Sequence, residues 1–295
     1  MKKLLILSGK GGTGKTTVTA AFIDFLHVAA FADCDVDAPN LHLVTGVTGI
    51  PECKDYYGSQ KASIDQQKCI GCGACRAKCR FDAISLNNGK YRISEYACEG
   101  CGVCQYVCPE NAVIMSNDIA GEQMLYRDNR VFSTAKLKMG RGNSGKLVTE
   151  VKMALSKSAH DVDLAVIDGS PGIGCPVIAS VSGVDLVLIV AEPSISGIHD
   201  MKRILKTTAA LRAKTAVCVN KYDTCHENAN VIEQYCIENS VPFVGRIPYD
   251  ERASVAINAG HSLASVDCPA REALKNMCRD VMALMNLESF DEKHT

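Results

Sequence analysis

Residues 9–17 read GKGGTGKTT and follow the apolar run Leu4–Leu7 after a single Ser8. Glycines and threonines at that density make a poor helix and a poor strand. Beyond them, Val18, Ala21, Phe22 and Phe25 fall on one helical face. A buried strand, a glycine-rich loop and an amphipathic helix in that order commit the chain to a narrow set of α/β folds. Within the loop, Gly9, Lys10, Gly11, Gly12, Thr13, Gly14, Lys15 and Thr16 fit G-x-x-x-x-G-K-[ST]. The glycines let the backbone turn with its N–H groups inward, an anion nest at a helix N-terminus. In this pattern Lys15 reaches the β- and γ-phosphates and the Thr16 hydroxyl ligates Mg²⁺. Thr17 completes the expected nucleotide-binding stretch.

Further apolar runs recur at Val28–Ala32, Leu164–Ile167, Leu186–Ala191, Thr215–Val219 and Phe243–Ile247. Runs without alternation suit strands buried on both faces of a parallel sheet. Helical patterns lie between several of them, such as Met201, Ile204, Leu205 and Thr208. The expected fold is therefore a doubly wound, mostly parallel α/β sheet. One segment breaks the rhythm, from about Cys53 to Lys146. It reads as an insertion: a small α+β module over residues 61–118, inside a discontinuous sheet domain of residues 1–60 and 119–295. A connector then runs to about 146. Its basic side chains, Arg127, Arg130, Lys136, Lys138, Arg141 and Lys146, read as a solvated surface or as a docking patch for an acidic partner. After Gly142–Gly145 a helical pattern resumes at Leu147, Val148, Val151, Ala154 and Leu155.

The chain carries sixteen cysteines, too many for ordinary core use and in too long a chain for a secreted disulfide scaffold. Eight form two matching runs, Cys69-x-x-Cys72-x-x-Cys75-x-x-x-Cys79 and Cys98-x-x-Cys101-x-x-Cys104-x-x-x-Cys108-Pro109. Zinc sites use C-x-x-C pairs, but three cysteines at two-residue spacing, twice over, fit zinc poorly; thiolates in loops of this kind suit iron. The repeat resembles the bacterial two-cluster ferredoxins. That resemblance implies one 4Fe-4S cluster held by Cys69, Cys72, Cys75 and Cys108, and a second held by Cys98, Cys101, Cys104 and Cys79. The chain departs from the pattern at Arg80, where a proline is usual, and carries Glu99 between two ligands of the second run.

Lys10 adds a second lysine to the phosphate loop. The stretch KGGTGKT resembles the deviant Walker A signature of the MinD/ParA/Mrp P-loop ATPases, a class that includes the nitrogenase iron protein. In that family the extra lysine acts across a dimer interface. The resemblance extends to Asp33-Cys34-Asp35-Val36-Asp37, at the family's switch I, and implies that Asp35 orients the attacking water and helps hold Mg²⁺, with Asp37 as the alternative. Val166-Ile167-Asp168-Gly169-Ser170-Pro171-Gly172 resembles Walker B and switch II, which makes Asp168 a Mg²⁺ residue and gives Gly172 an N–H for the γ-phosphate. Asn220 and Lys221 stand where the family contacts the base, as do Pro248-Tyr249-Asp250. Asn220-Lys221-Tyr222-Asp223 also fits the N-K-x-D guanine reader, so ATP is the expected nucleotide with GTP open. Cys175 follows Asp168 as a cluster ligand does in the nitrogenase iron protein; a buried structural thiol is the plainer expectation.

The resemblance as a whole implies an ATPase that uses ATP, Mg²⁺ and two 4Fe-4S clusters. Its expected partners are a second copy or a related ATPase in an ATP-dependent dimer, and a redox or iron–sulfur acceptor protein. Electron transfer driven by ATP is the main expectation. An iron–sulfur carrier of the Mrp type, or a positioning ATPase like MinD and ParA, are the alternatives. A net charge of −1 gives no field for nucleic acid. No apolar run approaches membrane-span length, Lys2 and Lys3 lead into a strand rather than a signal peptide, and the acidic end Glu288-Ser289-Phe290-Asp291-Glu292 does not suit a membrane-targeting helix. A cytoplasmic protein is expected.

Overall fold

A computed structural model describes residues 1–287; the acidic end from Glu288 lies outside the described residues. In chain order the elements are β1 (Lys2–Leu7), α1 (Lys15–Phe25), β2 (Ala30–Asp33), β3 (Glu52–Tyr57), β4 (Lys61–Ile64), α2 (Ala74–Lys78), β5 (Ile84–Asn87), β6 (Lys90–Ile93), α3 (Val103–Tyr106), β7 (Val113–Ser116), β8 (Ile119–Arg127) and β9 (Val131–Leu137). There follow α4 (Ser144–Ser158), β10 (Leu164–Asp168), α5 (Cys175–Val181), β11 (Leu186–Ala191), α6 (Ile195–Ala210), β12 (Thr215–Asn220), α7 (His226–Glu238), β13 (Phe243–Ile247), α8 (Glu251–Asn258) and α9 (Pro269–Leu284). The chain forms two units: Met1–Glu52, Met124–Ala135 and Ser144–Thr295 make the first, and Cys53–Gln123 with Lys136–Asn143 the second.

The first unit is built on parallel strands in the order β13-β12-β11-β1-β10-β2-β9. Each apolar run of the sequence is one of these strands. Leu4 to Leu7 and Val187 to Val190 are completely buried, as strands covered on both faces must be. Register sets the site: Ile6 pairs with Asp168, and Asp168 with Asp33. The carboxyl ends of β1, β10 and β2 therefore lie side by side, where open α/β sheets bind ligands. The core joins the sheet to Val18, Phe22 and Ile23 of α1 and to Leu274, Met277 and Val281 of α9.

The connector over residues 119–146 is largely sheet, and its second strand is buried. β9 pairs in parallel with β2 from Ala30↔Val131 to Asp33↔Thr134. Ser133, Thr134 and Lys136 interrupt its apolar pattern and hide it in the sequence. Ser133 Oγ donates to the Val151 carbonyl at 2.9 Å, and Phe132 stacks on Phe31 with ring centroids 4.9 Å apart, a pair that adds about 0.5–1.5 kcal/mol beyond its burial. Several basic residues of the segment are engaged within the chain. Arg130 donates to the Thr45 carbonyl and lies over the Phe31 ring, and Arg141 pairs with Asp118 at 2.8 Å and Glu95 at 3.3 Å.

The second unit holds two antiparallel pairs, β4 with β7 and β5 with β6, and two short helices. The β5–β6 turn is Asn88-Gly89, both at positive φ, the tight hairpin that matches strand twist. Its core is small: Ala62, Ala83, Cys98 and Val113, with Cys79, Cys104 and Cys108 packed against them. A core this slight is the kind that a metal group or disulfides normally reinforce.

Candidate nucleotide site and cysteine cavities

The phosphate loop leaves β1 and enters α1 at Gly14, whose φ is +92°. A Cβ at Gly14 would stand 2.1 Å from Asn220 Nδ2, so both backbone and space require glycine there. Lys15 is buried and donates to Asp168 Oδ2 at 2.6 Å. The Thr16 hydroxyl lies 2.8 Å from the same oxygen, and Thr19 Oγ1 lies 2.6 Å from Asp168 Oδ1. Burial works against the Lys15 ammonium, but the Asp168 carboxylate, together with Asp33 and Asp35, outweighs it and lifts the lysine above its ordinary value. Lys15, Thr16 and Asp168 are thus one cluster: a fixed cation beside hard oxygen donors, the donor type Mg²⁺ prefers.

Asp33 ends β2 completely buried and accepts from the N–H groups of Asp35 at 2.9 Å, Asn40 at 2.8 Å and Leu41 at 2.9 Å. It shapes the loop that carries Asp35 and Asp37. Burial, then the Asp168 carboxylate, pushes Asp33 up to about 7. Burial raises Asp35 to about 6, against the pull of Lys15. Asp35 and Asp37 both line a cleft of about 1270 Å³ together with Gly12, Lys15, Asn220 and Tyr249. The loops also touch one another: Ser170 Oγ donates to the Cys34 carbonyl at 2.6 Å, and the Gly172 N–H to the Ser8 carbonyl at 3.0 Å.

In this chain Asn220 braces the loop: its Nδ2 donates to the Thr13 carbonyl at 2.7 Å, and its Oδ1 accepts the Lys221 N–H at 3.0 Å. Asp223 Oδ1 accepts the Tyr249 N–H at 2.8 Å. Lys10 pairs with Glu192 at 2.6 Å. Cys175 is exposed at the start of α5, which corrects the expectation of a buried thiol. Gly145 packs closely against this residue: a Cβ there would stand 3.1 Å from the Cys175 carbonyl oxygen.

In the second unit the eight clustered cysteines divide between two small cavities. Cys69, Cys72, Cys75 and Cys108 line one, with Ile64, Ile70 and Val113. Cys79, Cys98, Cys101 and Cys104 line the other, with Phe81 and Ile93. The fourth cysteine of each run thus faces the other run's cavity. Gly71, Gly73, Gly100 and Gly102 all adopt positive φ in the two loops, and the Ala112 N–H donates to Cys108 Sγ at 3.3 Å. Among the described residues, no three His, Cys, Asp or Glu side chains converge as the ligands of a single metal ion do.

The family model described as the CobQ/CobB/MinD/ParA nucleotide binding domain matches residues 4–263. The chain belongs to this family. It is a P-loop ATPase of the MinD/ParA kind. An uncharacterized protein of Methanocaldococcus jannaschii is 34% identical over 252 residues, 83% of this chain and 86% of that one. An iron-sulfur cluster carrier protein of Methanococcus maripaludis is 23% identical over 303 residues, 97% of this chain and 86% of that one. Among solved structures, the septum site-determining protein MinD of Pyrococcus horikoshii, complexed with Mg-ADP, superposes with a TM-score of 0.56 at 18% identity, covering 95% of each chain.

Within this MinD/ParA-type site, sequence reasoning missed Asp33, Thr19 and Ser170. Asp33 was visible as the first carboxylate of the D-x-D-x-D run. Thr19 was hidden one turn past the motif, and Ser170 could be assigned only once β2 and β10 were known to be neighbours. No helix among the described residues is long and apolar enough to cross a membrane.

Proposed function

We propose that this ATPase couples its nucleotide cycle to iron–sulfur clusters held by the second unit. The observation that carries the reading is the division of eight cysteines into two cavities of four, each with its fourth member from the other run. Four thiols in an apolar lining suit a cubane cluster, and the left-handed glycines between ligands let the loops wrap it closely. The donor set fits two 4Fe-4S clusters, on Cys69, Cys72, Cys75 and Cys108 and on Cys98, Cys101, Cys104 and Cys79. Such clusters would supply one-electron redox chemistry or be the cargo.

In the first unit, Gly9–Thr17 cradles the phosphates, Lys15 neutralises them, and Thr16 and Asp168 hold Mg²⁺. Asp35 is the carboxylate that orients water, Asn220 and Lys221 flank the base, and Lys10 reaches a partner subunit's nucleotide in an ATP-dependent dimer. Two forms of the cluster function follow. The likeness to the Methanococcus maripaludis carrier across 97% of this chain supports delivery of clusters to an acceptor, and this form has the better support from the comparisons. The complete fourfold lining of both cavities favours an electron relay, since it leaves no ligand position for an acceptor's thiol.

The test is metal analysis of protein purified without oxygen. About eight irons and eight sulfides per chain are expected. Cys108→Ala and Cys69→Ala should deplete one cluster, and Cys79→Ala and Cys98→Ala the other. Stoichiometric zinc without iron would overturn the proposal.

A further inference from the structure

Lys152 lies buried on α4, away from the nucleotide cleft. Its Nζ donates to three main-chain carbonyls: Ala179 at 2.9 Å, Ser180 at 2.6 Å and Ser182 at 2.6 Å. These stand at the carboxyl end of α5, where a helix leaves its last carbonyls without intrahelical partners and where a cation lies favourably against the helix dipole. Burial pushes the ammonium down to about 8.

The two helices also meet at the other end. A Cβ on Gly145, in the first turn of α4, would stand 3.1 Å from the Cys175 carbonyl oxygen at the first residue of α5. α5 is thus gripped at its start by the close approach of Gly145 and at its end by the Lys152 ammonium. What precedes α5 is the Ser170–Gly174 segment, bonded through Ser170 to the Cys34 carbonyl and through Gly172 to the Ser8 carbonyl. What precedes α4 is Asn143, the last residue of the second unit.

We propose that Lys152 is a positioning residue that locks α5 to α4, so that displacement of the Ser170–Gly174 segment during ATP turnover moves the two helices together and reaches the chain where it leaves the second unit. The lock is a property of the ATPase unit; its consequence for the clusters rests on the function proposed above. A cap that only completed α5 would act on α5 alone. The three-carbonyl grip from a neighbouring helix makes the pair one body, the element a hinge or shear transition needs.

The experiment is hydrogen exchange on the intact, anaerobically purified protein, with ADP and with a non-hydrolysable ATP analogue, read at the amides of residues 144–150. In the unaltered protein the two nucleotides should give exchange rates differing roughly fivefold or more. Lys152→Met should abolish that difference while the analogue still binds, and Lys152→Arg should restore it. If Lys152→Met fails to melt cooperatively, Lys152→Gln is read the same way. A difference that persists in the neutral variant, or none in the unaltered protein, overturns the proposal. Iron is measured on each sample: iron-free protein that keeps the Lys152-dependent difference retains the lock and removes the iron–sulfur reading.

Discussion

Lys15 Nζ and Asp168 Oδ2 stand 2.6 Å apart in the interior of the ATPase unit, one on the helix after the phosphate loop and the other at the end of a central strand. Both side chains are almost wholly buried. Removing one partner of such a pair leaves an uncompensated charge, at a cost of about 3–5 kcal/mol. Lys15→Ala should therefore lose ATP binding and also unfold at markedly lower denaturant. Adding Asp168→Asn should recover much of the stability and none of the turnover. Denaturant unfolding of the single and double variants separates the two effects; equal stability of Lys15→Ala and the unaltered chain would contradict the buried-pair reading.

Lys10 makes the opposite case. Its pair with Glu192 is at 2.6 Å, but both side chains are about one-third exposed, and exposed pairs contribute about 0–1 kcal/mol. Lys10→Ala should leave the unfolding midpoint nearly unchanged while abolishing ATP-dependent dimerisation and turnover. Light scattering with ATP, beside a phosphate-release assay, reads both. Normal hydrolysis by Lys10→Ala would show that the lysine is surface charge.

Asp35→Asn should bind ATP and dimerise but hydrolyse it far more slowly, because a neutral amide cannot draw the proton of an attacking water. In the unaltered enzyme the carboxylate must be ionised. With Asp35 raised to about 6, the single-turnover rate should fall as pH drops through that value. If Asp37→Asn carries the slow phenotype instead, the water-orienting role moves by two residues.

Asp33 gives a stability signature. Its folded-state value is raised from 3.8 to about 7, so the folded chain holds the proton more tightly than the unfolded chain. The stabilisation is fully present below 3.8 and is lost as pH rises through about 7. Nucleotide-free protein should accordingly unfold at higher denaturant at about pH 6 than at about pH 8. Asp33→Asn should flatten that dependence, since an amide does not titrate. An unchanged slope in Asp33→Asn would assign the dependence elsewhere.

The sheet was legible because strands buried on both faces appear as unbroken apolar runs, and the phosphate loop because only glycine tolerates its turn beside Asn220. β9 was not legible: Ser133 and Thr134 look like surface residues until Val151 and the neighbouring strand supply their surroundings. The grouping of the cysteines rested on the resemblance; that Cys108 shares a cavity with Cys69, Cys72 and Cys75, and Cys79 one with Cys98, Cys101 and Cys104, depends on the fold of the second unit. The Asp33 hub and the Lys152 grip depend on elements far apart in sequence. They became visible only when β2, β10, α4 and α5 were adjacent.

The central claim is that the nucleotide site and the cysteine unit act on one another. Linkage makes such coupling reciprocal for binding free energies. The direct measurement is the affinity for a non-hydrolysable ATP analogue, titrated into oxidised, reduced and iron-stripped protein. The account predicts a roughly 5- to 150-fold difference, between oxidised and reduced protein if the unit relays electrons, or between loaded and stripped protein if it carries clusters. Equal affinity in all three states would contradict it.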